Sequence, residues 1–484
     1  MNVSEKYKNW KSKWVQDCSM KIEMVFFLTL FLGGSLFSQK IDGGPGSHYS
    51  VLVEFAATGE IVESKNADLL MTPASTLKVA TSAMALETLG ADYRFATDIY
   101  VNGTIAHGTL IGDLIIKGGG DGTLGSSYFS STLSEQVLKN IQQQLHDAGI
   151  MRLKGSVWLD QSLFPANHYP DGRLWEDMAN YYGAPPAALS WRDNSFDLFL
   201  KSPPIIGLPC EVTGTVPAFP HLQFNSSVIS AAGRKDSAYI FGYPGLETWE
   251  VRGSIPAGRP SFKIRGALPF PGQTFGEELA VLLSAGEVIE VKVSNQPIKD
   301  GSHKKIGEVT SPPVGEIIQI VNRRSHNLLA DHLFLAAGRP NNNSYSWDAS
   351  RVYFRRFWAD RLALLPVRVL DGSGLSPKNL VSARFMVDVL KFMQQSPNFD
   401  VFMSSLAVGG QSGTLANMWK APALSGKVIA KSGYMEGTLG YCGYIHTQKG
   451  EILIFSVMVN NMTNDLSQVR KSIETYISDL IVRY

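Results

Sequence analysis

The sequence has 484 residues, of which 44% are apolar and 18% are charged. This composition excludes a disordered chain, and the length allows about three domains at the usual ~150 residues each. Because 44 basic residues face 43 acidic ones, the net charge of +1 provides no overall field for nucleic acid or anionic lipid, and we expect neither as a partner.

The N-terminal segment is typical of an export signal. Lys21 precedes an apolar run over residues 24–32, which is too short for a membrane span of about 20 residues but fits the centre of a signal peptide. We therefore predict a signal peptide over residues 1–38, with cleavage near Ser38, and an exported, periplasmic protein. Met20 is an alternative start, and a short uncleaved anchor is an alternative function of the segment.

The chain has three cysteines, and Cys18 lies in the predicted signal. In an oxidising compartment Cys210 and Cys442 could pair, and the sequence leaves this open. No CxxC or HExxH motif is present, so we expect neither a metal nor a cofactor.

The elements that follow predict an α/β (α+β) protein with an insertion. Alternating apolar residues predict a β-hairpin over residues 49–66, and Thr72 as N-cap with Pro73 predicts a helix that ends at Gly90. Short alternating segments and Pro-rich breaks indicate a β-rich inserted region over residues 97–310, most simply two small domains. Later patterns predict helices at 314–322, 327–337 and 466–481 and strands at 428–431, 441–446 and 452–460.

The first chemical motif is Ser75-Thr76-Leu77-Lys78 at a helix start. A spacing of three places the hydroxyl and the amine on one helix face. The positive end of the helix disfavours a charged Lys78, and a neutral amine can take the proton of Ser75. The motif alone is weak, because Ser302-His303-Lys304-Lys305 repeats it in a polar turn, and a surface serine with an exposed lysine is the alternative.

The second motif is Ser325-His326-Asn327, at the junction of two predicted helices. A hydroxyl and an amide two positions apart on a turn can both face a cleft, where Ser325 relays a proton and Asn327 fixes the substrate and Lys78. The alternative is a helix-capping serine followed by a solvated asparagine.

The third motif is Lys431-Ser432-Gly433, which closes an apolar strand. The cation and hydroxyl suit a substrate carboxylate, Gly433 lets a ligand backbone lie close, and the N–H of Tyr434 can complete an oxyanion hole. The alternative is an edge-strand lysine that guards against aggregation. The order helix start, helix–helix turn, strand edge is what one cleft between helices and a sheet requires.

Together the three motifs resemble those of penicillin-binding proteins and serine β-lactamases. The long stretch between Ser75 and Ser325 is similar to that of class C low-molecular-mass penicillin-binding proteins, the D-alanyl-D-alanine carboxypeptidase/endopeptidases. Other similar stretches are 72–78, 118–121, 184–188 and Asp371-Gly372-Ser373-Gly374-Leu375-Ser376.

This resemblance implies a penicillin-binding, β-lactamase-like transpeptidase fold, in which an antiparallel sheet is flanked by helices and joined to a helical subdomain. The catalytic domain would then be discontinuous, over residues 39–96 and 311–484. Peptidoglycan stem peptides would be the substrates, and β-lactams would be covalent inhibitors. Alternatives are a β-lactamase or esterase on the same scaffold, or an inactive module that binds peptidoglycan or senses β-lactams.

The resemblance also implies residue roles. The expected roles are nucleophile, general base, proton relay and substrate positioning for Ser75, Lys78, Ser325 and Asn327, in that order. Lys431 and Ser432 would bind the terminal carboxylate, although threonine is usual at position 432. Asp160 is the candidate contact for the free amine of the substrate's diamino acid, and a strand-end aspartate that forms a turn is the alternative.

Overall fold

The computed structural model describes residues 41–164, 169–284, 286, 288–298, 303–339, 345–363 and 366–484. The predicted signal peptide and Ser302 of the repeated motif lie outside these residues. Within the described ranges, no helix has both the length and the apolar character needed to cross a bilayer.

The strands and helices alternate along the chain in a mixed fold. The strands are β1 (His48–Phe55), β2 (Ile61–Lys65), β3 (Ala96–Ala106), β4 (Thr109–Lys117), β5 (Arg152–Lys154), β6 (Val157–Asp160), β7 (Ser195–Lys201), β8 (Glu211–Val216), β9 (Gln223–Ser226), β10 (Ile229–Ala231), β11 (Tyr239–Phe241), β12 (Thr248–Arg252), β13 (Ser254–Pro256), β14 (Phe262–Ala267), β15 (Val291–Ser294), β16 (Lys304–Thr310), β17 (Ala407–Val408), β18 (Val428–Met435), β19 (Thr438–His446) and β20 (Ile452–Asn460). The helices are α1 (Lys78–Leu89), α2 (Ser134–Asp147), α3 (Trp175–Met178), α4 (Pro271–Leu283), α5 (Val314–Arg323), α6 (Asn327–Ala337), α7 (Trp347–Ala359), α8 (Ala383–Gln395), α9 (Phe399–Ser405) and α10 (Leu466–Arg483).

The main sheet is antiparallel, with strand order β17-β18-β19-β20-β1-β2. Successive side chains of β1 point to opposite faces, because a strand has a period of two. Val51 and Val53 join the core beneath α10, whereas Leu52 joins the core formed with α1, α5, α6 and α8. The sheet is therefore covered by helices on both faces, as the fold prediction requires.

Helix α1 lies at the centre of the helical layer, and its residues from Lys78 to Leu86 are all buried. A helix that is buried all round is held by packing on every side, so α1 gives firm support to the residues at its N-terminus. The predicted start at Thr72 is wrong, because a short 3-10 turn, Ala74–Leu77, precedes the α-helix. The N–H of Thr72 instead donates to Oδ1 of Asn460, at the end of β20, so the sheet holds the chain just before the turn.

The region between β3 and β16 has its own sheet, with order β15-β6-β4-β3-β16 and β5 beside β4. Its first and last strands are antiparallel neighbours, with Ala96 opposite Thr310, and one core cluster lies entirely between Ile99 and Val309. The smaller sheets are β14-β7-β8, β11-β12-β9 and β10-β13. These features favour the proposed boundaries near residues 96 and 311, and the division into domains remains a proposal. Helices α2 and α4, which the sequence analysis did not predict, are also part of this region.

Cys210 and Cys442 are both buried free thiols in separate core clusters. The structure thus answers the question that the sequence left open, because the two residues do not pair.

Candidate active site

The three motifs meet beside the N-terminus of α1. The amine of Lys78 donates to Oγ of Ser75 over 2.8 Å and to Oδ1 of Asn327 over 2.7 Å. Its third partner is the backbone carbonyl of Ser373, 2.5 Å away. The amine therefore lies between the hydroxyl and two fixed oxygen acceptors.

A second lysine lies on the sheet side of the same cluster. The amine of Lys431 donates to Oγ of Ser325 over 2.9 Å and to the carbonyl of Ser432 over 2.6 Å. The hydroxyl of Ser432 donates to Oγ1 of Thr414 over 2.7 Å. The Lys431 amine thus joins the hydroxyl of the second motif to the backbone of the third.

Both lysines are removed from water, with 0% of each residue exposed. Ser75, Ser325 and Asn327 are half-buried, so the hydroxyls lie between the buried amines and solvent. Burial lowers the pKa of Lys78 to about 7, although the carboxylates of Asp331 and Asp371 oppose this shift. Burial, and not the helix terminus that the sequence analysis invoked, is the largest cause.

Burial also holds the pKa of Lys431 well below its usual range, and the nearby charge of Lys78 lowers it further. Two amines in one dry site repel each other when both are protonated. Burial and this repulsion therefore favour a neutral amine at one or both positions.

Two residues of the site have backbone φ angles in the region that favours glycine: Ala74, just before Ser75, and Ser325 itself. Ala74 has φ 47° and Ser325 has φ 58°. Such conformations persist where the surrounding structure imposes them, and they often lie at functional sites. Gly374 packs directly against Ala74, because a Cβ on Gly374 would lie 1.9 Å from the Ala74 carbonyl.

Gly433 has a packing role that was not predicted from the sequence. A Cβ at this position would lie 2.7 Å from both the Pro73 carbonyl and the Thr76 N–H nitrogen, and 3.0 Å from the Ser75 nitrogen. The missing side chain therefore lets β18 pack directly against the turn that carries Ser75. That Gly433 also lets a ligand backbone lie close stays a prediction.

The remaining two predicted site residues are Tyr434, which is exposed, and Asp160, which is buried. Tyr434 follows Gly433 on β18 and is 54% exposed, so its side chain lies at the surface. Asp160 is buried at the end of β6, where its carboxylate accepts the N–H groups of Ser162 (3.0 Å) and Ile298 (3.3 Å). These are the contacts of a turn-forming aspartate. The substrate contact of Asp160 stays a prediction. Its two hydrogen bonds are made to backbone N–H groups and not to Lys78 or Lys431.

A layer of buried groups behind Lys78 was not predicted from the sequence. Asp331 accepts the N–H groups of Gly372 and Ser373, and thereby orients the carbonyl that binds the Lys78 amine. A signal was available, since Asp331 follows Asn327 by one helical turn and so lies on the same face of α6. Arg173, which forms an ion pair with Asp331, is far from these motifs in the sequence, so no helical spacing indicated it.

A buried lysine with a lowered pKa beside a serine, between helices and an antiparallel sheet, is the arrangement of penicillin-recognising serine hydrolases. The comparisons with known proteins agree. Residues 38–480 match the D-Ala-D-Ala carboxypeptidase 3 (S13) family. The chain belongs to this family, and it is a serine hydrolase of the class C low-molecular-mass penicillin-binding type.

Two relatives and one solved structure illustrate the similarity. A D-alanyl-D-alanine carboxypeptidase of Actinomadura sp. (strain R39) is 29% identical over 434 residues, which are 86% of this chain and 78% of the relative. One from Haemophilus influenzae is 25% identical over 457 residues, 88% of each chain. The crystal structure of penicillin binding protein 4 from Haemophilus influenzae is 23% identical, with a TM-score of 0.76 over 90% of this chain and 96% of that one. This last likeness confirms the predicted fold class.

The contact at Gly433 gives a first testable prediction. Replacing Gly433 by alanine should push β18 away from the Ser75 turn, because the added Cβ meets backbone atoms that cannot give way. Since a misplacement of about 1 Å can lower a rate by about 10²-fold, we expect acylation by a penicillin to slow by about that factor. The measurement is the acylation rate, with circular dichroism to check the fold.

Gly437, on the turn between β18 and β19, provides the matched control. It has φ 70°, which asparagine tolerates, and a Cβ there would have no neighbour within 4 Å among the described residues. Gly437→Asn should acylate at nearly the wild-type rate. Acylation of Gly433→Ala at the wild-type rate would show that the contact does not matter.

Proposed function

We propose that this chain hydrolyses the D-Ala-D-Ala ends of peptidoglycan peptides, as a carboxypeptidase, an endopeptidase or both, through an acyl-enzyme on Ser75. The observation that carries the proposal is the 2.8 Å hydrogen bond between Lys78 and Ser75 at an amine whose pKa is lowered to about 7 by burial. An amine of this kind is partly neutral at pH 7 and can accept the serine proton.

In the acylation step, neutral Lys78 takes the proton of Ser75 while Oγ attacks the carbonyl carbon of the penultimate D-Ala. The C–N bond then breaks, and the leaving amine receives a proton from Lys78 through Ser325. The amine that leaves is D-Ala in a carboxypeptidase reaction and the cross-linked peptide in an endopeptidase reaction. Water then hydrolyses the ester and returns the free hydroxyl of Ser75.

The charge that develops on the carbonyl oxygen needs hydrogen-bond donors. We assign the N–H groups of Ser75 and Tyr434 to this role, since Gly433 holds the strand and the turn in contact. Loss of one such donor raises a barrier by about 2.7–4 kcal/mol. Lys431 and Ser432 would bind the terminal carboxylate, whose negative charge favours protonation of Lys431. Asn327 would position the substrate backbone.

The relatives support the substrate class and the place of action. Both are named D-alanyl-D-alanine carboxypeptidases, and one structure of the Haemophilus influenzae protein is a complex with a β-lactam. We propose that peptidoglycan stem peptides and β-lactams bind here too. Action on such peptides takes place outside the cytoplasm. The predicted signal makes the periplasm the proposed location, with membrane attachment only through an uncleaved signal.

Covalent labelling tests the nucleophile. Incubation with benzylpenicillin should add one penicilloyl group on the peptide that contains Ser75, as detected by mass spectrometry, and Ser75→Ala should abolish the adduct. Ser64→Ala is the control, because Ser64 is an exposed serine of a chance Ser-x-Asn pattern. A label on another serine would refute the assignment. Slow release of the adduct indicates the peptidase, whereas rapid turnover indicates a β-lactamase.

The pH dependence of acylation tests the base. Because the pKa of Lys78 is lowered to about 7, the neutral fraction is small at pH 6 and reaches one half near pH 7. The acylation rate should therefore rise through pH 7 and level off above pH 8, in stopped-flow measurements with benzylpenicillin. Lys78→Arg, which stays charged, should lose acylation at every pH tested. A rate that is independent of pH between 6 and 8 would contradict the role of Lys78.

A further inference from the structure

A buried arginine from the segment between β6 and β7 reaches the groups behind Lys78. The side chains of Arg173, Asp331 and Asp371 all have 0% exposure. Nη2 of Arg173 lies 2.9 Å from Oδ2 of Asp331 and 3.7 Å from Oδ2 of Asp371. Nη1 of Arg173 donates to the carbonyl of Gly183 over 3.0 Å. The guanidinium thus joins a carboxylate of α6 and one of the loop before α8 to the chain around residue 183.

One line of contacts leads from Arg173 to Lys78 through Asp331. Oδ1 of Asp331 accepts the N–H of Gly372 over 3.0 Å and that of Ser373 over 2.8 Å. The carbonyl of Ser373 then accepts the Lys78 amine over 2.5 Å. The Arg173–Asp331 ion pair therefore fixes the loop that supplies one of the three acceptors of the amine.

A second line leads to the same amine from the other side. Arg173 holds the carbonyl of Gly183, and the neighbouring carbonyl of Tyr182 accepts Nδ2 of Asn327 over 2.8 Å. This bond turns the amide of Asn327 so that its oxygen faces Lys78 at 2.7 Å. The two lines close a ring of contacts, and Arg173 is the member of the ring opposite the amine.

We infer that Arg173 is a positioning residue of the acylation reaction, which holds the Lys78 amine against Ser75 through Asp331–Ser373 and through Gly183–Tyr182–Asn327. The inference rests on the proposed role of Lys78 as the base. A guanidinium suits this position because its planar fork donates in two directions and it stays protonated when buried. The segment between β6 and β7, and with it the proposed inserted region, thereby contributes to the catalytic centre.

The charges around Lys78 allow this role to be separated from a purely structural one. The carboxylates of Asp331 and Asp371 raise the pKa of Lys78, whereas the charge of Arg173 lowers it. Lys431 is the other cation beside Lys78, and its own pKa is lowered by Lys78. Removal of the Arg173 cation should make the remaining groups bind protons more tightly, and removal of the Asp331 carboxylate should have the opposite effect.

The experiment compares pH profiles of benzylpenicillin acylation for three folded variants of the full chain. Arg173→Met should slow acylation and move the midpoint of the profile to higher pH. Asp331→Asn, which keeps an acceptor oxygen, should move the midpoint to lower pH. Arg173→Lys should keep the midpoint near that of the wild type and lower the plateau, since an ammonium lacks the planar fork. Arg384→Met, which removes an ion pair with Asp68 on the exposed surface, is the control and should leave the profile unchanged.

Opposite shifts for the Arg173 and Asp331 variants support the inference. If Arg173→Met does not fold, the Arg173→Lys and Asp331→Asn profiles decide the question alone. If Arg173→Met and Asp331→Asn are slower but share the wild-type midpoint, or if Arg173→Lys has a wild-type plateau, the inference is overturned. In those outcomes wild-type labelling at Ser75 still supports the proposed function, whereas an unlabelled wild type would refute that function itself.

Discussion

An amine held out of water between a hydroxyl and two fixed oxygen acceptors is the constraint on which the rest of the site depends. A lysine in water is protonated at pH 7 and cannot accept a proton. Burial of Lys78 removes this obstacle, because a charged amine loses its hydration in the interior and the neutral form becomes accessible. The carboxylates behind it limit the effect and keep the amine close to its titration midpoint at neutral pH. An acid–base group is most useful there, since it must first take a proton and later return it.

The fold serves this amine by bringing backbone segments close together. Gly433 lets β18 pack against the Ser75 turn. Gly374 lets the loop after Asp371 pack against Ala74, the residue before Ser75. Asn460 holds the chain before the turn with two hydrogen bonds: its Oδ1 accepts the N–H of Thr72, and its Nδ2 donates to the Thr72 carbonyl. These contacts explain why residues far apart in the sequence form a rigid site. The glycines leave no room for a side chain between the packed segments, and Asn460 satisfies backbone polar groups with hydrogen bonds.

Much of the fold and the site could be predicted from the sequence, because local patterns report local structure. The apolar period of α6 and the alternation of β20 gave bounds that the structure confirms, at Asn327–Ala337 and Ile452–Asn460. The three motifs converge as predicted, since their order along the chain reflects the layers of the fold. The 3-10 turn before α1 was missed, because Thr72 and Pro73 have the residue types of a helix start while tertiary contacts determine their actual partners.

The residues that sequence reasoning could not find act through distant contacts. Arg173 and Asp331 are far apart in the sequence, so no periodic pattern links them, although they form a fully buried ion pair. Helix α2 is a different case, because a local signal was present: Val137, Ile141 and Leu145 recur at helical spacing and are buried. The unexpected role of Gly433, by contrast, depends on a distant contact, since a glycine on a strand edge looks alike whether a ligand or the protein's own backbone lies against it.

The central claim, a lysine amine that is half neutral near pH 7, can be measured directly by NMR. In protein labelled with ¹³C at lysine Cε, the signal missing from Lys78→Arg identifies Lys78, and its shift is followed against pH. We expect a titration midpoint close to pH 7, in keeping with the lowered pKa of the buried amine. A midpoint near the ordinary lysine value of about 10.4 would contradict the account, because the amine would then be charged whenever the enzyme works.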